Sequence, residues 1–188
     1  MKRQAITLGR IGILLPIASI IPFLGAVAGL AAMVLLLISH YNFSKIYEKP
    51  DIFKNALTGT IIVVAANVIG GILVTIGVGT AIFESSGGAL ESFDYQEITS
   101  QIFGSGLSIV GAIIMFIGAI IGIYFVYKAL QVLAEQSNIN LFKTGGLLYL
   151  IGVITSVILI GGLVIFVGWI LHIIAYFSLQ PEQETAMG

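Results

Sequence analysis

The sequence of 188 residues contains no cysteine. This absence excludes disulfide bonds, thiolate metal sites and a cysteine nucleophile, and it leaves the redox compartment undetermined. Charged residues are also scarce, at 9% of the chain, whereas soluble domains carry about 25%. With 58% hydrophobic residues and a mean hydropathy of +1.10, the composition is that of a membrane protein. The net charge of −1 argues against a nucleic-acid partner.

Four long apolar segments contain no Asp, Glu, Lys or Arg at all. Charges within a membrane are typical of proton relays, ion pathways and coupled transporters, so their absence argues against a charge-coupled pump. The sequence also shows no constellation of acid, base and nucleophile and no cluster at metal-ligand spacing. We therefore expect no enzyme, no metal and no other cofactor. The segments are the first stretch (11–39), the second (56–83), the third (104–127) and the fourth (145–179).

The lengths of these stretches predict the architecture. The second and third each suit one helix across about 30 Å of hydrocarbon, whereas the first and fourth are too long for one ordinary span. Pro22-Phe23-Leu24-Gly25 interrupts the first stretch, and Gly161-Gly162 offers a turn in the fourth. We therefore expect a single all-α domain over residues 1–188, a polytopic membrane protein with two long spans and two broken helical hairpins, six helical segments in total. Legs this short also fit shallower re-entrant loops.

The distribution of basic residues predicts the orientation. All eight Lys and Arg lie within residues 2–10, 45–54 and 128–143. If the first stretch folds back, they share one side; if it crosses once as a long kinked span, the N-terminus lies opposite the two basic loops. The positive-inside rule favours the hairpin, with all eight basic residues on the cytoplasmic side. The parts outside the stretches are then a basic cytoplasmic N-terminus (1–10), an acidic extracytoplasmic loop (84–103) and a short polar C-terminal tail (180–188).

Small residues recur at helical spacing in the second and third stretches. Faces of this kind let two membrane helices approach closely. They either pack against each other or the hairpins within one subunit, or they form a self-association interface. The helix-packing candidates are Gly59, Ala66, Gly70 and Gly77 in the second stretch, and Gly104, Ser108, Gly111, Gly118 and Gly122 in the third.

A few polar side chains lie inside the apolar stretches. Asn67 and Thr75 share one face of the second stretch, and an unpaired amide in hydrocarbon is costly, so Asn67 needs a partner. An interhelical hydrogen bond is favoured over a contact with substrate. His172 stands alone among apolar residues, which favours a structural role over a ligand role. Ser19 and Ser156 lie near the expected breaks, where their hydroxyls can satisfy freed backbone groups.

The polar punctuation between the apolar runs resembles that of a known family. The matching runs are Ser44-Lys45-Ile46-Tyr47, Asp51-Ile52-Phe53-Lys54-Asn55-Ala56-Leu57, Tyr124-Phe125-Val126-Tyr127-Lys128-Ala129-Leu130 and Leu141-Phe142-Lys143-Thr144-Gly145-Gly146-Leu147-Leu148-Tyr149-Leu150-Ile151-Gly152. They are similar to the prokaryotic, mainly archaeal, membrane family catalogued as domain of unknown function 996. The resemblance implies a multi-span protein of prokaryotic cell membranes, and it brings no activity, ligand or catalytic residue.

Two functions are compatible with these features. The first is a non-enzymatic membrane protein that acts through helix packing or association with itself, with other membrane subunits or with lipid. The alternative is a small passive channel or carrier for uncharged solutes at the broken helices, because discontinuous helices often surround binding sites in membranes.

Overall fold

The structure, a computed structural model, describes residues 1–21, 24–85, 105–158 and 160–180. Every regular element in these ranges is helical, and four of the helices are long and apolar enough to cross a membrane. The prediction of an all-α polytopic membrane protein with six helical segments is therefore confirmed. The helices are α1 (Lys2–Leu14), α2 (Leu24–Ile46), α3 (Pro50–Ser85), α4 (Gly106–Ser137), α5 (Leu141–Ile154) and α6 (Ile160–Ser178).

The first hairpin consists of α1 and α2, joined through a 3-10 segment at Leu15–Ile20. Pro16 lies at the start of this segment, where its ring and missing N–H end the α-helical pattern. Ile21 then adopts an extended conformation, as expected of a residue before proline. Pro22 and Phe23, which the sequence analysis placed in the break, lie outside the described residues. The interruption thus begins earlier than predicted.

The first leg of this hairpin begins at Lys2 rather than at Ile11, so the basic N-terminal segment is itself helical. Ala5, Ile6 and Ile13 are buried on one side of α1, while Arg3 is exposed. An amphipathic helix of this kind forms because one apolar stripe packs on the rest of the protein. Reading only the uncharged run missed that stripe.

The second hairpin, α5 and α6, breaks at a 3-10 segment, Thr155–Val157, and not at Gly161-Gly162. The hydroxyl of Thr155 donates to the Ile151 carbonyl at 2.8 Å, and that of Ser156 donates to the Val153 carbonyl at 2.7 Å. These bonds satisfy carbonyl groups at the end of α5 and compete with its continuation. The predicted turn position was wrong, because both glycines lie in the first turn of α6.

A left-handed residue closes the turn between α2 and α3. Glu48 has a φ of 52°, and the amide of Lys49 donates to the Ser44 carbonyl at 2.9 Å. These are the features of a Schellman cap. Pro50 then occupies the first position of α3, where a missing N–H costs nothing. Asn138, with a φ of 56°, lies in the corresponding short turn between α4 and α5.

The chain divides into two compact units. Unit 1 comprises Met1–Thr60 and Ile123–Gly188, and unit 2 comprises Ile61–Gly122. The core of unit 1 contains side chains from all six helices. The largest of its fully buried residues are Phe43, Ile52, Leu133, Phe142 and Tyr176.

Within unit 1, α1 runs antiparallel to both α2 and α6. The hydroxyl of Ser39 on α2 donates to the Ala5 carbonyl at 2.8 Å, and the indole of Trp169 on α6 donates to the Ile13 carbonyl at 2.9 Å. Gly9 permits the close approach, since a Cβ there would collide with the ring of Tyr176. These contacts bring α2 and α6 together around α1 and thereby position a pocket between them.

Candidate functional site

A pocket of about 200 Å³ lies within unit 1, among side chains from five helices. Both histidines of the chain, His40 and His172, line it together with Tyr149 and Tyr176. The remaining wall is aliphatic and contains no charged side chain. It is formed by Ile13, Leu36, Ile123, Val126 and Leu130.

His40 on α2 is 6% exposed and is held by its own helix. Its Nδ1 lies 2.6 Å from the carbonyl oxygen of Leu36, one turn earlier. Because a carbonyl oxygen only accepts hydrogen bonds, Nδ1 carries the hydrogen. Nε2 is buried and has no hydrogen-bond partner among the described residues.

His172 on α6 is held from the other side of the pocket. Its Nε2 lies 3.3 Å from the carbonyl oxygen of Phe142, and its ring stacks on that of Tyr149 with centroids 4.9 Å apart and an interplanar angle of 18°. The Tyr176 ring contacts Phe142 edge to face at 5.0 Å. The sequence-based view of His172 as an isolated residue is thus incomplete, since the fold places it at a pocket with three other polar aromatic side chains.

This arrangement brings imidazole and phenol rings of three helices, α2, α5 and α6, to one pocket. The described residues contain no group of three or more His, Asp or Glu side chains that could hold a metal ion. The aromatic rings and the aliphatic wall present a mainly apolar surface, against which a small apolar group can pack.

The glycine faces of the second and third stretches meet within unit 2. The carbonyl oxygen of Gly70 would lie 2.6 Å from a Cβ at Gly111, and the Ser108 amide nitrogen 2.7 Å from a Cβ at Gly77. A Cβ at Gly118 would collide with Ala66. The parts of α3 and α4 in unit 2 therefore form a closely packed antiparallel pair, and this face is used inside the chain.

The other predicted helix-packing residues are Ser108, Gly59, Gly122 and Gly104. Ser108 is fully buried, and its hydroxyl lies 3.4 Å from the Val74 carbonyl oxygen to which it donates. Gly59 and Gly122 are buried. Gly104 lies outside the described residues, as do most of the acidic loop (84–103) and residues 181–188 of the tail.

The face of α3 that carries Asn67 and Thr75 is exposed in unit 2. Asn67 is exposed and donates from Nδ2 to the carbonyl of Val63 at 2.8 Å; Thr75 is exposed and donates to Gly71 at 2.8 Å. Within the described residues, Asn67 finds this partner on its own helix rather than across to another. Ser156 is exposed at the second break, and the side chain of Ser19 lies outside the description.

Much of the apolar surface remains uncovered. Within an apolar 18-residue window of each of the α3 and α4 spans, only 17% of the residues are buried. An apolar groove of about 350 Å³ also lies between α2 and the start of α3 in unit 1, lined by Val34, Leu37, Ile38, Tyr41, Phe53 and Leu57. Exposed apolar surface of this extent requires a nonaqueous environment. These surfaces are typical of helices in lipid.

Sequence reasoning missed His40, Tyr149 and Tyr176 as pocket residues. Tyrosine is common at the membrane interface, but Tyr176 is only 1% exposed and lies in the core. The one available signal was the presence of both histidines at the edge of, or within, apolar stretches. Their convergence depends on helix packing, which residue spacing does not reveal.

Comparisons with known proteins find a matching family model and a similar protein. A family model described as a protein of unknown function, DUF996, matches residues 28–170. The chain is 29% identical over 183 residues to the uncharacterized protein MJ1644 of Methanocaldococcus jannaschii, and the match covers 97% of this chain and 96% of that protein. No solved structure matches the chain.

Proposed function

The chain belongs to the DUF996 family of proteins of unknown function, and we propose that it is a non-enzymatic integral membrane protein that acts by associating with a second copy of itself. The membership confirms the resemblance found in the sequence. The apolar helices support the membrane location. The proposal rests on one observation, the exposed amide of Asn67 on the outer face of α3.

Asn67 lies near the middle of the candidate span Pro50–Thr80, and the middle of a membrane-spanning helix is surrounded by hydrocarbon. An amide has two N–H donors and an oxygen that accepts, and only one of these donors is used, in the bond to Val63. The remaining groups cost free energy in lipid unless a partner satisfies them. A polar contact between membrane helices is worth about 0.6–2 kcal/mol.

A second copy is the partner that fits this face. Because an amide both donates and accepts, two Asn67 side chains related by a twofold axis can exchange hydrogen bonds. Gly71, one turn along the helix on the same face, has open space where a Cβ would lie. A partner helix can therefore approach α3 closely at this face. Lipid covers the other apolar surfaces.

The experiment measures self-association of the full chain in liposomes by energy transfer between labelled copies over a range of protein-to-lipid ratios. We expect a dimer whose dissociation constant rises about tenfold in Asn67→Val, and further in Asn67→Val with Gly71→Leu, because both the bond and the close approach are lost. Ile117→Val on the exposed face of α4 is the matched control and should associate like the wild type. A wild type that stays monomeric, or an Asn67→Val variant that dimerises equally well, contradicts the proposal.

We further propose that the basic ends of the helices face the cytoplasm. Three basic side chains lie over aromatic rings: Lys45 over Tyr41 at 4.5 Å, Lys128 over Tyr124 at 5.0 Å, and Arg10 over Phe177 at 4.9 Å. Aromatic rings and long basic side chains with this arrangement are typical of the membrane interface. The positive-inside rule supports the cytoplasmic assignment.

A passive channel or carrier for uncharged solutes is the second candidate, favoured by the pocket of unit 1. The pocket lies among regular helices and not at the two breaks, so the route for a solute differs from the one expected from sequence. The channel or carrier function would be supported if glycerol flux into proteoliposomes exceeded the flux into protein-free vesicles, and if Leu130→Trp lowered it to that level. Flux equal to that of empty vesicles would exclude it.

A further inference from the structure

We propose that the apolar groove of unit 1, between α2 and the start of α3, binds an anionic phospholipid that places one acyl chain in the groove and pairs its phosphate with the ammonium of Lys45. All the lining residues belong to unit 1, and Asn67 is not among them. The inference therefore goes beyond self-association and does not depend on it. It also distinguishes this groove from the rest of the lipid-facing surface, where any lipid suffices.

The wall of the groove is apolar and accessible from outside. Its six side chains, all within the described residues, are aliphatic or aromatic and present no polar surface to an occupant. Val34, Ile38 and Tyr41 are exposed, so the groove opens on the outer surface of α2. Its volume is about 350 Å³. An occupant must therefore be apolar along the groove and can enter it from the bilayer.

The length of the groove matches one leaflet of a membrane. Its lining residues on α2 extend from Val34 to Tyr41, and Lys45 follows one turn later on the same face, in the last turn of the helix. Val34 and Lys45 are eleven residues apart, which is about 16 Å along a helix. One leaflet contributes about 15 Å of hydrocarbon, half of the bilayer core. A lipid with its headgroup at Lys45 can therefore extend a chain along the whole groove.

The charge at the outer end of the groove is within reach of a headgroup. Lys45 is exposed, and its Nζ lies 4.5 Å from the ring centroid of Tyr41, which itself lines the groove. An ammonium carries three N–H donors, and a ring on one side of it leaves the other side open to an anion. A phosphate at the level of the headgroups can therefore contact Lys45 directly.

The neighbouring charges favour a lipid with a net negative charge. Glu48 and Asp51 offset Lys49 and Lys54 in the turn after α2 and at the start of α3, so Lys45 is the surplus charge of this region. A basic side chain at the membrane surface attracts anionic lipids. A zwitterionic lipid also carries a phosphate, but its own cation opposes Lys45.

The width of the groove favours an acyl chain over a helix. The rings of Tyr41 and Phe53, which both line it, are in edge-to-face contact with centroids 5.1 Å apart, so α2 and α3 approach each other here. A helix with its side chains is about 10–12 Å across. A helix of a second copy could lie over such a groove without filling it, whereas a single hydrocarbon chain can lie inside.

The experiment measures binding of single lipids to the full chain, purified in a nonionic detergent, by native mass spectrometry. The probes are phosphatidylglycerol and phosphatidylcholine with the same two oleoyl chains, which differ only in the headgroup. We expect the first phosphatidylglycerol to bind about fivefold more tightly, which is the effect of one lysine beside an anionic lipid. Lys45→Gln should abolish this preference. Lys143→Gln removes an exposed lysine at the start of α5, and this matched control should retain the preference.

A second pair of variants tests the contact with the acyl chain. Ile38→Trp fills part of the groove and should weaken binding of both lipids severalfold, because less apolar surface of the lipid is buried. Ile117→Trp is the same change on the exposed face of α4 in unit 2 and should weaken neither. Equal affinity for the two lipids, a preference that survives Lys45→Gln or is also lost in Lys143→Gln, or unchanged binding in Ile38→Trp would overturn the proposal.

The same variants separate this site from the proposed dimer. Asn67→Val should leave the preference for phosphatidylglycerol intact, so a failure of the dimer proposal would not affect the lipid site. If a second copy occupies the groove instead, Ile38→Trp weakens self-association in liposomes and leaves lipid binding unchanged, and this result would contradict the lipid site.

Discussion

The guanidinium of Arg10 donates a hydrogen bond to the carbonyl oxygen of Leu179 at 2.9 Å, which joins the first helix to the residue after the last one. The same group donates to the carbonyls of Tyr176 and Phe177 at 3.1 and 3.2 Å. The last carbonyls of a helix have no partners within it, and a positive charge complements the helix dipole there. Arg10 therefore caps the C-terminus of α6.

Replacing Arg10 should destabilise unit 1. Arg10→Gln removes charged donors from the end of α6, and we expect the free energy of unfolding to fall by about 2 kcal/mol, since hydrogen bonds to charged groups are worth roughly that much. The free energy of unfolding of Arg10→Lys should lie between those of the wild type and Arg10→Gln, because a single ammonium cannot reproduce the planar fork of a guanidinium. Thermal unfolding in detergent, followed by circular dichroism, provides the measurement. Arg3→Gln, at an exposed position of the same helix, should match the wild type; an equal loss in both variants would contradict the cap.

Alanine substitutions at two adjacent glycines of α3 should change the free energy of unfolding in opposite directions. A Cβ at Gly70 would lie 2.5 Å from the Gly111 carbonyl oxygen, a backbone atom that cannot move aside, whereas a Cβ at Gly71 meets open space. We expect Gly70→Ala to lower the free energy of unfolding by about 1–3 kcal/mol through overpacking. Gly71→Ala should raise it by up to about 1 kcal/mol through helix propensity. The comparison requires excess detergent, in which copies separate; equal stabilities would show that α3 and α4 do not pack this closely.

The two glycines first considered as a turn form a second such pair. A Cβ at Gly161 would collide with the backbone of Ser156 and of Gly152, while one at Gly162 would touch nothing. Gly161→Ala should therefore separate α6 from the end of α5 and lower the midpoint of thermal unfolding by several degrees. Gly162→Ala is the control and should leave that midpoint unchanged or slightly raised. If Gly162→Ala proves the more damaging, the break lies at these glycines after all.

The proposed orientation predicts the sidedness of single cysteines, which the cysteine-free sequence makes simple to test. Gln4→Cys and Glu48→Cys should react with a membrane-impermeant maleimide only from the cytoplasmic side, and Tyr95→Cys only from the opposite side. The bond between Ser39 and Ala5 places the N-terminal leg beside the end of α2, as this pattern requires. Gln183→Cys reports the side of the C-terminal tail. Labelling of Gln4→Cys together with Tyr95→Cys would contradict the orientation.

The sequence by itself determined the class, the number of helices and the membrane environment. Uncharged stretches and clustered Lys and Arg are properties of the linear chain, and the free energy of transfer into lipid depends on them directly. The helix boundaries were less predictable. The apolar stripe of α1 acts by packing in the core of unit 1, and the hydroxyls of Thr155 and Ser156 act through hydrogen bonds to nearby carbonyls. The family resemblance also followed from short polar runs alone.

Only the tertiary structure decided which residues form the pocket and which glycine faces are free. His40 and His172 are far apart in the chain, and each separately looks like a residue at the edge of, or inside, an apolar helix. They line one pocket because α1 packs against both α2 and α6. Ser39 and Trp169 donate hydrogen bonds to carbonyls of α1, and Gly9 allows Tyr176 to approach closely. The glycine faces of α3 and α4 likewise pack against each other, and Asn67 lies on a different, exposed face of α3. Periodicity gives the face of a helix, but the choice of partner depends on packing between elements distant in sequence.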